Sequence, residues 1–442
     1  MSDTLDLLAA LIRNACVNDG TPGSGGEARS VETIAGYLGT AGTVVEPHPE
    51  RQSAVYRVPG TVPGAPRLML MGHTDVVPVN EAGWTRDPFG GEVADGFVWG
   101  RGAIDMLNLT AAMAVAFKPY LTGDLEPLPG DLVFLAVADE ENAGGLGARL
   151  LVEERWDLVA TDYLLTEIAY PPIETGAGLV YPVSVGEKGP FWTRLEAQGT
   201  PGHGSVPYGS DNALAPLALA LAGLFATPSP ASVSAEWAEF VAGLAPAEPL
   251  RSELLDPDRI DAAIARLAAG SPGFAAYVHA CTHLTVSPNV ARVGGKANVI
   301  PDRAVAEVDL RALPGQDRAA VDRHLRAAMG PAGERIRLVP VADHAANASP
   351  RGTPLWEAVV GAVDDLTGTG RVVPALMPAT TDARFFRDRG VVAYGAGLFD
   401  RAVSFPDFLA MFHGNDERVS VESVELTARM LARLLERWRS AC

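Results

Sequence analysis

Cysteine is scarce: three residues in 442, at positions 16, 281 and 442. Thiols so few and so scattered make neither a disulfide framework nor a thiolate zinc site, so imidazole and carboxylate must hold any metal. Long apolar runs are missing too. The opening "MSDTLDLLAALIRNAC" lacks the basic start, continuous apolar stretch and small-residue cleavage site of a signal peptide, and no segment reaches the roughly 18 apolar residues of a membrane span. A cytoplasmic location with no membrane partner is expected. Basic charge is short, with 35 Lys and Arg against 54 Asp and Glu and a formal net charge of −19. With no Lys/Arg run, nucleic acid is not an expected partner. Internal repeats and low-complexity segments are also missing.

What remains reads as globular. Apolar residues make up 48% and charged residues 20%, and the length favours two or three domains. Leu5, Leu8, Leu11 and Ile12 have helical spacing, and a second helix is expected within "TPGSGGEARSVETIAGYL", where Ser24 and Glu27 have the spacing of a capping box. From there to about residue 182, continuous apolar runs, "LMLM" (68–71), "LVFLAVA" (132–138) and "YLLT" (163–166), alternate with helical stretches. Runs of this kind suit strands covered on both faces. The expected fold is therefore α/β, with a mixed, mainly parallel sheet covered by helices.

Around residue 183 the texture changes, because "FWTRLEAQG" and "AVAEVDLRA" alternate like half-solvated strands. Residues 183–342 are expected to form a smaller, inserted α+β domain, between a catalytic domain of residues 1–182 and its second part, 343–442. Extra helical residues around 235–270 would enlarge a dimer contact, cap a cleft or fill core, core being the leading reading.

Each continuous strand ends on acid or His: His73 and Asp75, then Asp139, Glu140 and Glu141, then Glu167. The carboxyl ends of parallel strands share one edge of a sheet, where ligands bind. Asp105 follows a Gly-rich loop before a helix, as an N-cap or as part of this group. His, Asp and Glu without Cys suit divalent zinc, cobalt or manganese, and an Asp can bridge two ions. Alone, "DEE" is a solvated acidic turn; with its neighbours, one Glu can bind metal while the other accepts a proton.

The motifs "GHTDVVPV", "GRGAIDMLN", "ADEENAGGLGA", "LLTEIA", "GTPGHGSVP", "NVIPDRAVAEVDLRALPG" and "FHGNDERVSVES" resemble, in order and over about residues 5–435, metallopeptidase family 20. That group of two-zinc amidohydrolases includes aminoacylase-1, glutamate carboxypeptidase, acetylornithine deacetylase and succinyl-diaminopimelate desuccinylase. The resemblance implies a catalytic domain with a lid and dimerisation domain inserted in it. It implies that His73, Asp105 and Glu167 hold one divalent ion and Asp105, Glu141 and His413 the other, zinc first, with cobalt or manganese as alternatives. Glu140 would be the general base and Asp75 a residue whose hydrogen bond orients the His73 ring; the Asp105–Met106 peptide would be cis. Strand direction favours Glu167 over the nearby Asp162, which belongs at the opposite edge. His203 would stabilise an oxyanion, in dimeric relatives from the partner subunit. Asn298 and Arg311 would fasten a substrate carboxylate or carbonyl, and Asp382, Arg384, Gly395 and Gly397 would form a substrate loop. Ala379 and Thr380 depart from the glycine-like pair common before Thr-Asp, which touches specificity rather than metal binding.

The implied activity is hydrolysis of an amide next to a carboxylate, in an N-acyl amino acid or, alternatively, in a peptide as a carboxypeptidase or dipeptidase, by a homodimer joined through the inserted domain. A non-catalytic binding module of the same fold would have lost ligands or base, and every expected position is filled.

Overall fold

A computed structural model describes residues 2–21 and 23–441, so Met1, Pro22 and Cys442 lie outside the described residues. Strand Leu68–His73 lies at the centre of a ten-stranded sheet, parallel to Leu132–Val137 on one side and to Tyr163–Thr166 on the other. Val392–Gly395 continues the parallel run beside Tyr163–Thr166. The antiparallel strands Thr43–His48 and Arg51–Val58 close one side, while Gly178–Glu187 leads the other.

The unbroken apolar runs have their reason here. Leu68, Leu70, Leu132, Phe134 and Ala136 face one core with helices Leu107–Thr122 and Val421–Ala441, whereas Met69, Met71, Val133, Leu135 and Val137 face a second core with Ala148–Glu154. Both faces are dry, so every position of these strands is apolar.

The second sheet has five antiparallel strands, with Arg303–Ala312 at its centre between Thr285–Val293 and Thr193–Gln198, and Ile336–Pro340 at one edge. In Arg303–Ala312 every second residue is buried. Ala304, Ala306, Val308 and Leu310 pack on helices Leu214–Ala226 and Arg318–Met329, leaving the other face open.

The stretch 183–342 does not hold together as one unit around this sheet. Helices Ala235–Leu244, Ile260–Ala268 and Pro272–Thr282 bury Trp237, Phe240, Ile260, Tyr277 and Cys281 in the large core. Tyr277 there donates its hydroxyl to the carbonyl of Leu376, in a strand of the large sheet. The extra helices thus fill core, but the core of the catalytic sheet.

Candidate metal centre

His73 ends its strand and is only 1% exposed. Its Nε2 lies 3.3 Å from Oδ1 of Asp105 and 3.7 Å from Oε2 of Glu167. Across Asp105, Oδ2 stands 3.4 Å from Nε2 of His413, which is 3.3 Å from Oε2 of Glu141. The two oxygens of one carboxylate therefore face two different imidazoles. Two groups result, His73–Asp105–Glu167 and Asp105–Glu141–His413, each with its ligand atoms within 4.8 Å of one another.

These separations exceed the usual 2.7–3.2 Å of a hydrogen bond. They match instead the roughly 3.3 Å between two ligands bound tetrahedrally at about 2.0–2.1 Å to one ion. Glu141 Oε1 is buried without a hydrogen-bond partner among the described residues, as a carboxylate shaped for a cation would be. The donor set fits two divalent ions.

The sheet explains most of the placement. Glu167 follows Tyr163–Thr166 at the same edge as His73, and Asp162 sits at the other edge, accepting the Arg67 backbone N–H at 2.9 Å. Asp105 is no N-cap: the helix starts at Leu107 behind Met106, which makes no side-chain cap bond. The Asp105–Met106 peptide is cis, and so is Glu167–Ile168, which no motif announced.

Asp75 orients His73 by another atom than expected. His73 Nδ1 lies 2.9 Å from the backbone carbonyl of Asp75 and 3.8 Å from its carboxylate. An N–H donated to that carbonyl leaves Nε2 free to face a metal. The Asp75 carboxylate instead accepts the backbone N–H groups of Glu140 and Glu141, each at 3.2 Å, and the Asn18 amide at 2.8 Å. It shapes the acidic turn.

Behind that turn, Arg51 pairs with Asp139 at 2.7 Å and with Glu27 at 2.8 Å, all three buried. The capping box dissolves for this reason. Glu27 is committed to Arg51, the helix begins at Ala28, and Ser24 closes its own loop on Asp19 and Thr21.

Burial pushes Glu141 up to about 7 and Glu167 up to about 8, and holds Glu140 well above the ordinary carboxylate range. Asp105 runs the other way: burial would raise it, but the His413 and His73 rings hold it below its usual value. Asp105 and Glu141 in turn lift His413 to about 10. Crowded carboxylates in a dry edge favour any added positive charge.

Residues 69–437 match the sequence profile described as Peptidase family M20/M25/M40. The chain belongs to that family. It is 30% identical over 440 residues to a succinyl-diaminopimelate desuccinylase of Rhodospirillum centenum, covering 99% of this chain and 97% of the relative. It is 26% identical to aminoacylase-1 of Sus scrofa, over 93% of this chain and 91% of the relative. In fold it is similar to an M20 family metallo-carboxypeptidase from Sulfolobus solfataricus, with a TM-score of 0.74, 18% identity and full coverage of both chains. The protein is a hydrolase of this M20 family.

The M20 cavity beside the two groups measures about 500 Å³ and is lined by Glu140, Arg311 and Arg384 as well as apolar Val77, Ile168, Met377 and Phe412. Arg311 is braced by Asp309 at 2.7 Å and donates to the Thr380 hydroxyl at 2.9 Å, so the departing Thr380 has a contact of its own. Arg384 donates to the carbonyls of Thr381 and Ala143.

Three residues expected in the substrate loop stand behind the cavity. A Cβ on Gly395 would lie 2.2 Å from the Glu167 carbonyl oxygen, and one on Gly397 2.8 Å from Ala169 Cβ. Glycine there lets the loop carrying Glu167 approach. Asp382 is buried under Gly144, both oxygens without a hydrogen-bond partner among the described residues, and burial pushes it up to about 7.

His203 and Asn298 go together, away from Arg311. Gly204 donates its N–H to the Asn298 carbonyl at 2.8 Å beside a two-stranded pairing of Gly202–His203 with Val299–Ile300, and neither side chain lines the cavity of its own chain. Both are exposed.

Glu417 was missed. This fully buried carboxylate accepts Arg101 at 2.6 Å and the backbone N–H groups of Gly102, Ile104 and Asp105 at 3.1, 2.8 and 3.2 Å. It ties the loop of His413 to that of Asp105. Its signal lay in "HGNDE", four residues past the ligand.

Proposed function

We propose that this M20 hydrolase is an N-acyl-amino-acid amidohydrolase working with two divalent metal ions, zinc first and cobalt or manganese as alternatives. The observation that carries the reading is Asp105, one oxygen 3.3 Å from His73 and the other 3.4 Å from His413. His73 and Glu167 would complete one ion's protein ligands, and Glu141 and His413 the other's. Bound there, the ions would polarise the scissile carbonyl and acidify water. Glu140, in the cavity wall, takes a proton from the attacking water and hands it to the departing amine nitrogen. Arg311, braced by Asp309, clamps the substrate carboxylate.

A deacylase is favoured over a dipeptidase because Asp105, Glu140, Glu141 and Glu167 are the only acids lining the cavity among the described residues. None is left to pair with a free substrate ammonium. The relatives named as desuccinylase and aminoacylase agree with this reading.

His203 would reach the site of a second copy and stabilise the oxyanion there. Support comes from helix Leu214–Ala226, which has no charged residue and exposes Leu214, Leu219 and Phe225, the last at 72%. An uncovered apolar face of this kind fits a homodimer. Kinetics on N-acetyl amino acids and on free dipeptides test the reading: the acetylated compounds should turn over at least tenfold better in kcat/KM. Equal or reversed rates would move the protein to the dipeptidases.

A further inference from the structure

The open face of the five-stranded sheet carries a second cavity, about 210 Å³, lined by Trp192, Val290 and Val341 with Asn289, Glu307 and Asp309 among its polar residues. Three features place it next to the catalytic cavity. Trp192 lines both. Val341 lines the groove and its neighbour Ala342 the catalytic cavity. Asp309 lines the groove while its carboxylate holds Arg311, whose guanidinium stands 5.2 Å from the Trp192 ring centre.

We propose that this groove receives the side chain of the carboxylate-bearing residue of the substrate, and that it selects large, uncharged, apolar side chains. The proposal rests on Arg311 as the carboxylate clamp. A carboxylate on Arg311 places the carbon that bears it beside Trp192. The scissile amide then points toward Glu140 and the metal ligands, and the side chain of that carbon is directed past Trp192 onto the open sheet.

Size and charge set the class. At about 210 Å³ the groove has room for a benzyl or isobutyl group. Trp192, Val290 and Val341 offer it apolar surface. Among the described residues no Lys or Arg lines the groove, so an acidic side chain finds no cation free to pair with it. A basic one finds no free acid, because Glu307 is paired with Arg292 at 2.9 Å and Asp309 with Arg311 at 2.7 Å. Burying a charge without a partner is costly.

The test is a comparison of kcat/KM for N-acetyl-L-phenylalanine, -leucine, -alanine, -aspartate and -lysine. The phenylalanine and leucine compounds should exceed alanine by about tenfold or more, in keeping with a hydrophobic pocket, and aspartate and lysine should fall below alanine. Val341→Asp, at an exposed position after the edge strand, should reduce the phenylalanine-to-alanine ratio about tenfold. Val62→Asp, equally exposed but on the loop beside Pro129 at the far edge of the large sheet, should leave that ratio unchanged. A flat series, a preference for lysine or aspartate, or a ratio that survives Val341→Asp overturns the groove. If the wild type hydrolyses none of the five, it is the deacylase reading that falls. The groove is then judged by calorimetry, where N-acetyl-L-phenylalanine must bind the wild type more tightly than the Val341→Asp protein.

Discussion

His73 and His413 face the same carboxylate from opposite sides, and the protein holds them in opposite ways. His73 ends a strand buried on both faces, its second ring nitrogen fixed by a backbone carbonyl 2.9 Å away. His413 sits in a loop at positive φ, with a side chain 57% exposed that pairs with Asp105 and Glu141. One histidine is part of the core. The other is brought to it by a loop that Glu417 fastens from behind. A metal centre built this way would have one ion site set by the fold and one set by a tether.

The largest effect should come from the residue that neither histidine depends on. Glu140→Gln keeps the shape of the acidic turn, so metal content should persist while kcat falls about a thousandfold, within the range of general acid–base catalysis. Activity near the wild-type level would remove Glu140 from its role.

The histidines themselves break the symmetry. Both His73→Ala and His413→Ala should lose about one ion per chain. His73→Ala should in addition destabilise the fold by about 2–3 kcal/mol, because it opens a cavity and strands buried carboxylates. His413→Ala should cost less, about 1 kcal/mol, because it opens no core cavity yet still removes a partner of the buried Asp105 and Glu141 carboxylates. Thermal unfolding with chelator present separates the two, and equal melting temperatures would erase the distinction.

Smaller effects sharpen it. Gly395→Ala drives a methyl group into the Glu167 peptide and should weaken the His73 site more than the His413 site in a competition titration. Glu417→Gln keeps the size but removes the charge that gathers Arg101 and three N–H groups. Metal affinity should drop about tenfold, the lower end for a residue that orients a ligand.

The same contrast explains what the sequence could and could not tell. Strand ends were readable because a dry strand must be apolar at every position, so a His or Glu where the run stops stands out, as His73 and Glu167 do. Asp105, Glu141 and His413 were placed by motif, and their convergence awaited the chain's path. Backbone contacts leave no trace in side-chain identity, so Asp75 was given a carboxylate bond that its carbonyl makes. Glu27 fits a capping box by spacing, but Arg51, twenty-four residues later, claims it. Gly395, Gly397 and Asp382 lie in a loop motif that touches the cavity through Met377, Ala379, Thr380 and Arg384, and three dimensions put them behind it. The helices around 235–282 are apolar enough for either core, and only packing decided which.

The account depends most directly on two ions sharing Asp105. Chelator-treated protein, titrated with zinc and assayed on an N-acetyl amino acid, should regain activity up to two equivalents per chain, with Asp105→Asn regaining none. Full activity in the presence of chelator, or saturation at one equivalent with Asp105→Asn still active, would contradict it.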